Sequence, residues 1–460
     1  MLTRDQAADL FDRIRKFSIA DEVEATFSAG RSALTRFANN AIHQNVAEEN
    51  CSISVRTNFA GRTARAATNK FDEDSLRRVV QASEKLALVQ QPDSDLLPMP
   101  TAADAGDADS APSRHFAGTA AVSPEQRADG VGKIVRIANQ HRLTTAGVFS
   151  TADSVEGLFN SRGLHRWYAQ TSAEISITML ADDSSGWQKA NSPDVAQLDP
   201  LAMAEIAAQK TLDSAHPGEL PPGKYTVILE PAAVLDIVGF MFFDFSGQAI
   251  LDERSFLNHR IGAPLFGPNI TIVDDVRHPM QTGCPFDGEG VLRQQVPLVE
   301  NGVVHRVVYA RATAEKMRRS EHAPEVGPIA ATGHGFSLPN EIGEAPMNIV
   351  FAPPRDPQTV EQMIASTERG VLVSRLWYIR EIESYEKLLT GMTRDGTFLI
   401  ENGKVKSGLR NFRFNQSLIA MLCNVEAMSI PARASGEESF DMVAPAMKVR
   451  DFNFTEVTRF

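Results

Sequence analysis

The sequence predicts an α+β fold, with helices and strand runs segregated along the chain rather than strictly alternating. Three observations carry this. Capping signals stand ahead of apolar residues at helical spacing. Period-two alternation marks several strand runs. Two turns of one kind, Val299-Glu300-Asn301-Gly302-Val303-Val304 and Ile400-Glu401-Asn402-Gly403-Lys404-Val405, place Asn-Gly between apolar flanks, a strong hairpin signal.

The elements follow in order. Thr3 with Gln6 forms a capping box, and Ala7, Leu10, Phe11, Ile14 and Phe17 then recur on one helical face. Val23, Ala25 and Phe27 alternate with polar residues, as do Cys51, Ile53 and Val55, so strands are expected there. Asn58-Phe59-Ala60-Gly61 turns the chain into a further strand near Thr63–Ala67. A second helix starts near Asp72, with Leu76, Val79, Val80, Leu86 and Ala87 as its apolar face. Residues 91–122 carry little to bury and read as a linker or mobile loop.

Ser123-Pro124-Glu125-Gln126 opens the next helix with a cap, an early proline and the box glutamine. A β-rich stretch from Ala146 to Ala190 contains the turn Asn160-Ser161-Arg162-Gly163 and the alternating run Ala173, Ile175, Ile177, Met179. Asp199-Pro200 caps a helix that ends near Leu212. His216-Pro217-Gly218 and Pro221-Pro222-Gly223 mark a joint. Tyr225–Leu229 reads as a strand, Pro231–Phe245 as a buried helix, and the rest as β-rich. The expected organisation is an N-terminal α+β domain over 1–90, a linker over 91–122, a middle α/β domain over 123–217 and a β-rich C-terminal domain over 218–460.

Composition bounds the function. The chain has 460 residues, 43% hydrophobic and 23% charged, which excludes disorder, collagen and disulfide scaffolds. A net charge of −12 without a basic stripe speaks against nucleic-acid binding. Cys51, Cys284 and Cys423 form no C-x-x-C pair, which excludes a zinc ribbon and fits a reducing compartment. The first residues lack the apolar run of a signal peptide, and the most apolar stretch is broken by Asp236 and Asp244. A cytoplasmic protein with no membrane span is expected.

Motifs alone stop short of an activity. No phosphate loop, G-x-G-x-x-G, H-E-x-x-H or H-x-x-E-H is present. Gly333-His334-Gly335-Phe336-Ser337 approaches a nucleophile elbow but misses G-x-S-x-G, and is read as a Gly-rich loop. His259 and His278 are expected on loops, and Glu321-His322 in solvent. Asp274-Asp275 and Asp287-Gly288-Glu289-Gly290 are expected to shape turns, and Glu381 with Glu383 has strand spacing. Trp377-Tyr378-Ile379-Arg380-Glu381 fits both a groove lining and ordinary strand packing. By alternation Tyr378 and Arg380 share one face and Glu381 takes the other; the Tyr378/Arg380 face is the candidate peptide-binding cleft.

Longer patterns go further. Arg36-Phe37-Ala38-Asn39-Asn40-Ala41-Ile42-His43-Gln44-Asn45, with Ser54-Val55-Arg56 and Gly61-Arg62, resembles the N-terminal region of the TldD/PmbA family. Asn160-Ser161-Arg162-Gly163-Leu164 is similar to its middle-domain turn. Pro222-Gly223-Lys224-Tyr225-Thr226-Val227-Ile228-Leu229-Glu230-Pro231 resembles the start of its C-terminal domain. Ser255-Phe256-Leu257, Asp274-Asp275, Phe286-Asp287-Gly288-Glu289-Gly290, Glu300-Asn301-Gly302 and Leu399–Val405 follow in family order.

The resemblance implies a metallopeptidase family of paired subunits that act on unfolded peptides. Its TldD-type subunit carries H-E-x-x-x-H after the strand entering the C-terminal domain, and a cysteine near the C-terminus completes the metal site. Here the equivalent helix, Val234 to Asp244, has no histidine, and Ala434-Ser435-Gly436-Glu437 stands where the cysteine is expected. Cys423 is read instead as a small core residue. The resemblance therefore implies the PmbA/TldE-like branch: no metal ligand or cofactor in this chain, zinc held by a TldD-type partner, and a dimer with that subunit or a like chain. The N- and C-terminal β regions are expected at the contact. The alternatives are a self-associating peptide-binding module without a peptidase partner, or an enzyme using metal-independent chemistry in the same groove.

Overall fold

The computed structural model describes residues 1–106 and 112–458. Asn39 and Asn40 both adopt positive φ, 50° and 59°, so the chain reverses tightly between β1 (Glu22–Ala38) and β2 (Ala41–Phe59). With β3 (Arg62–Thr68), β4 (Thr144–Asn160), β5 (His165–Leu180) and β6 (Ser185–Ser192) they form a six-stranded sheet of order β3-β2-β1-β4-β5-β6. Every pairing in it is antiparallel. β1 and β4 pair from Glu24↔Asn160 to Phe37↔Gly147, so segments 1–90 and 123–217 share one continuous sheet.

The expected caps start the helices. Thr3 and Ser123 close capping boxes on Arg4–Phe17 and Pro124–Gln140, and Asp72 and Asp199 cap Glu73–Leu88 and Pro200–Asp213. Two strand-facing clusters are separate. Leu10, Phe11 and Leu76 pack on Phe27 and Ile53, whereas Val131, Ile134 and Ala207 pack on Phe37 and Ile177.

The C-terminal part holds a closed ring of strands. Gly223–Leu229 pairs in parallel with Arg369–Glu383 and antiparallel with Met447–Val457. Met447–Val457 pairs with Phe412–Ser417, which pairs with Leu388–Glu401, and that strand returns to Arg369–Glu383. Phe412, Phe414, Phe452 and Phe454 stack within this region and are fully buried. Both Asn-Gly turns form, with φ near 50° at Asn301 and Asn402 and 81° and 75° at Gly302 and Gly403. A second six-stranded sheet includes Ile272–Asp274, Val296–Glu300, Ile349–Phe351 and Met442–Ala444.

Segment 91–122, expected to be exposed and mobile, is tied down on both sides of residues 107–111, which lie outside the described residues. Met99, Pro100, Ala105 and Gly106 give their carbonyls to Arg162, Asn160 and Arg166, and Arg114 reaches the carbonyls of Val276 and Gly283. Backbone carbonyls there pair with polar side chains, among them the buried Arg114 and Arg166, a contact that low side-chain hydrophobicity does not register. Among the described residues no helix is long and apolar enough to cross a membrane.

Candidate functional site

The site grows from the strand that enters the C-terminal part. Pro231, at the first helical position, starts helix Pro231–Val238, in which Ala233 to Val238 are all buried. A short 3₁₀ segment, Gly239–Asp244, continues it. A carboxylate in such a helix needs partners. Asp236 has them: its Oδ1 accepts the N–H groups of Glu437 and Glu438, each at 3.0 Å, and its Oδ2 faces the N–H of Leu376 at 3.4 Å. Burial pushes the Asp236 carboxyl up to about 6, against the pull of these backbone donors.

Two glycines permit the approach. A Cβ at Gly436 would stand 2.2 Å from Asp236 Oδ1, and one at Gly239 would stand 1.8 Å from Ser439 Oγ. Segment 434–439 is thus laid directly on the helix. Lys189 of β6 holds it from the other side, donating to the Gly436 carbonyl at 3.0 Å.

Glu438 carries the contact to strand Arg369–Glu383. That strand is irregular between Trp377 and Arg380, and Tyr378 has a φ of 54°. The bulge frees the N–H groups of Tyr378 and Ile379, and the Glu438 carboxylate accepts both, at 2.8 and 3.1 Å. Carboxylates therefore already occupy the edge donors of Leu376, Tyr378 and Ile379. Tyr378 and Arg380 do come together, with the guanidinium 4.5 Å from the ring centroid and both side chains exposed. A cation–π contact over a bulge joins them, where simple alternation predicts a shared pleat face.

Glu381 points elsewhere, as expected, and meets Lys387 at 2.6 Å. Lys387 is buried and also contacts Asp244 at 2.6 Å. Burial raises the Asp244 pKa, and Lys387 offsets part of that rise. Glu383 caps the turn beyond by accepting the N–H groups of Tyr385 and Glu386. The two glutamates thus serve different partners.

The residues present do not fit a hydrolytic zinc ion. Such an ion needs three protein ligands and an open water position. Segments 231–244 and 432–444 contain no histidine or cysteine. Asp236 is committed to backbone donors and Asp244 to Lys387. Ser435 Oγ is buried without a partner among the described residues, but a lone hydroxyl does not complete a ligand set.

Other expectations need correction. Asp274 is not a turn residue: it lies in a strand, fully buried, and accepts from His334 at 2.9 Å and from the Asn348 N–H. Burial is the largest single influence and would raise its pKa, but His334, Arg293 and the Asn348 N–H together outweigh burial and hold it low. His334 lies in the expected Gly-rich loop, and within it the ring is buried as the partner of Asp274. Asp287 does shape its turn, accepting from Glu289 and Val291, yet both carboxylates are buried. Burial and the neighbouring Glu289 push Asp287 up to about 7. His322 is buried, not solvated, and Cys423 is exposed because Leu418, Ile419, Met421 and Leu422 fill the inner face of its helix. Sequence reasoning missed Glu438, Lys387 and Lys189. Asp236 stood in view only as an interruption of an apolar run, although an aspartate there already demands a partner.

Three domains of one family match this chain: PmbA/TldA metallopeptidase domain 1 over residues 23–87, the central domain over 112–215 and the C-terminal domain over 222–456. Metalloprotease PmbA of Escherichia coli O157:H7 is 21% identical over 352 residues, covering 72% of this chain and 75% of that protein. An uncharacterised Methanocaldococcus jannaschii protein is 28% identical over 174 residues, 37% of this chain, and the match spans only 41% of its length. The crystal structure of TldE from Thermococcus kodakarensis superposes with a TM-score of 0.84 at 18% identity, covering 98% of this chain and 99% of the other. A Thermotoga maritima protein described as a modulator of DNA gyrase gives the same score, identity and coverage of this chain. At such identities the structural likeness establishes the fold.

Proposed function

The chain belongs to the PmbA/TldA metallopeptidase family, and from that premise we propose that it is the non-catalytic, PmbA/TldE-like subunit of a cytoplasmic peptidase complex acting on unfolded peptides. The observation that carries this reading is the donor set at the strand–helix junction. Where a hydrolytic site needs nitrogen or sulfur ligands and an open position, this chain has Asp236 tied to Glu437 and Glu438 and a glycine contact that leaves no room.

The partner is a TldD-type subunit or a like chain. One feature supports the N-terminal β region as part of that contact. β3 pairs with β2 only from Ile53 to Phe59, so the outer edge of residues 41–52 carries no strand among the described residues. Tyr378 and Arg380 present an exposed aromatic and cation at the proposed substrate groove, where contact to a peptide would come from side chains because the edge N–H groups are occupied.

The test is a peptidase assay on an unfolded polypeptide, with the chain alone and with a TldD-type subunit added, alongside light scattering. No hydrolysis by the chain alone, hydrolysis by the pair, and a particle above the 50.3 kDa monomer mass are expected. Hydrolysis by the chain alone that chelation abolishes overturns the reading, as does a monomer that ignores the added subunit.

A further inference from the structure

Away from the strand–helix junction, helix Gly247–Leu251 packs against helix Arg311–Arg319. Just beyond their ends, Glu253, Glu321 and His322 each place one potential ligand atom within 4.8 Å of the other two. We infer that these three residues form a zinc-binding site that ties the two helix ends together, independent of the proposed subunit role.

Two observations beyond the carboxylates point to a ligand. His322 is only 6% exposed, and no hydrogen bond or ion pair engages its ring among the described residues. A buried imidazole left this way, aimed at two carboxylates, has the arrangement of a ligand awaiting its ion. The cations beside the cluster are committed elsewhere. Arg254 pairs with Asp252 at 2.8 Å and Arg319 with Asp95 at 2.9 Å, so neither neutralises Glu253 or Glu321. Two carboxylates facing each other without a counter-charge attract a cation.

The donor set selects the ion. One imidazole nitrogen and two carboxylate oxygens suit zinc, with bonds of about 2.0–2.2 Å, whereas calcium and magnesium favour oxygen ligands throughout. Glu253 and Glu321 are exposed and able to close the remaining gap. Next to the cluster, the His259 ring lies 6.2 Å from that of His322, and its Nδ1 is 3.2 Å from Glu325. A histidine steadied by a carboxylate is the kind of group that completes or supports a zinc shell. The ion would fix the loop whose Ser255 and Phe256 hydrogen-bond Asp244.

The full chain, stripped with a chelator and dialysed, is titrated with zinc by calorimetry, and cobalt is used as a visible-absorbance probe. One zinc per chain and a higher melting temperature are expected for the unaltered protein. Glu253→Gln and His322→Gln each weaken binding at least about 10-fold and lose the cobalt spectrum. The exposed Glu253→Gln keeps its circular dichroism and metal-free melting temperature, so a folding defect in His322→Gln does not obscure the result. Absence of zinc uptake, or an affinity in both variants equal to that of the unaltered protein, overturns the site. Zinc lost from Asp236→Asn but kept by both variants would overturn it too, and would place the ion at the strand–helix junction, against the proposed function as well.

Discussion

Replacing Asp236 by asparagine should change how stability depends on pH. The Asp236 pKa is about 6 in the folded protein, against an ordinary value of 3.8. Between those values the folded state binds more protons than the unfolded chain. The group's stabilising contribution is therefore complete below about 3.8 and is lost as pH rises through about 6. A difference of about 2 pH units corresponds to about 3 kcal/mol, most of which falls between pH 4 and 7. Asparagine does not titrate. It keeps an acceptor for the Glu437 and Glu438 N–H groups but turns its amide toward that of Leu376, a cost independent of pH. Variant stability minus wild-type stability should thus rise by about 2–3 kcal/mol from pH 4 to pH 7. For a unit the size of residues 222–456 that is a relative shift of about 5–10 °C in melting temperature. Thermal scans of both proteins at several pH values and fixed ionic strength measure it. Other buried acids, including Asp287, are common to both and cancel. A difference that stays constant across this range refutes the argument, because Asp236 would then be titrating as it does in the unfolded chain.

The remaining predictions concern its neighbours. Lys387→Met strips Asp244 and Glu381 of a shared buried cation and should cost about 3 kcal/mol, with Lys387→Met/Asp244→Asn recovering part of the loss in a denaturant titration. Gly436→Ala drives a methyl group to within 2.2 Å of Asp236 Oδ1 and should destabilise by about 1–3 kcal/mol in the same titration; an unchanged midpoint would show that segment 434–439 is free to move. Arg380→Ala should weaken peptide binding in a fluorescence titration while leaving the melting temperature nearly unchanged, since the side chain is exposed. Unchanged binding with a lowered melting temperature would make Arg380 structural.

Much of the fold was legible because its signals are local. A cap and the box residue three positions on need only their own backbone, so Thr3, Asp72, Ser123 and Asp199 each start a helix where expected. Asn-Gly fixes a turn through its own φ preference, and both hairpins formed. The absence of histidine and cysteine from residues 231–244 was equally plain, since it depends only on residue identity.

Partners distant in sequence were decided by the tertiary structure alone. The pairing of β1 with β4 merges two segments into one sheet across more than a hundred intervening residues. His334 finds Asp274 sixty positions away, and Glu438 finds the N–H groups of Tyr378 and Ile379. The bulge at Tyr378 has the same cause: it is sustained by a carboxylate from another strand-connecting segment, and no residue within 377–380 announces it. Buried charges and irregular backbone are tolerated only where the fold brings a compensating group. The sequence can therefore show that Asp236 needs a partner, while the packing of segment 434–439 on its helix determines which one.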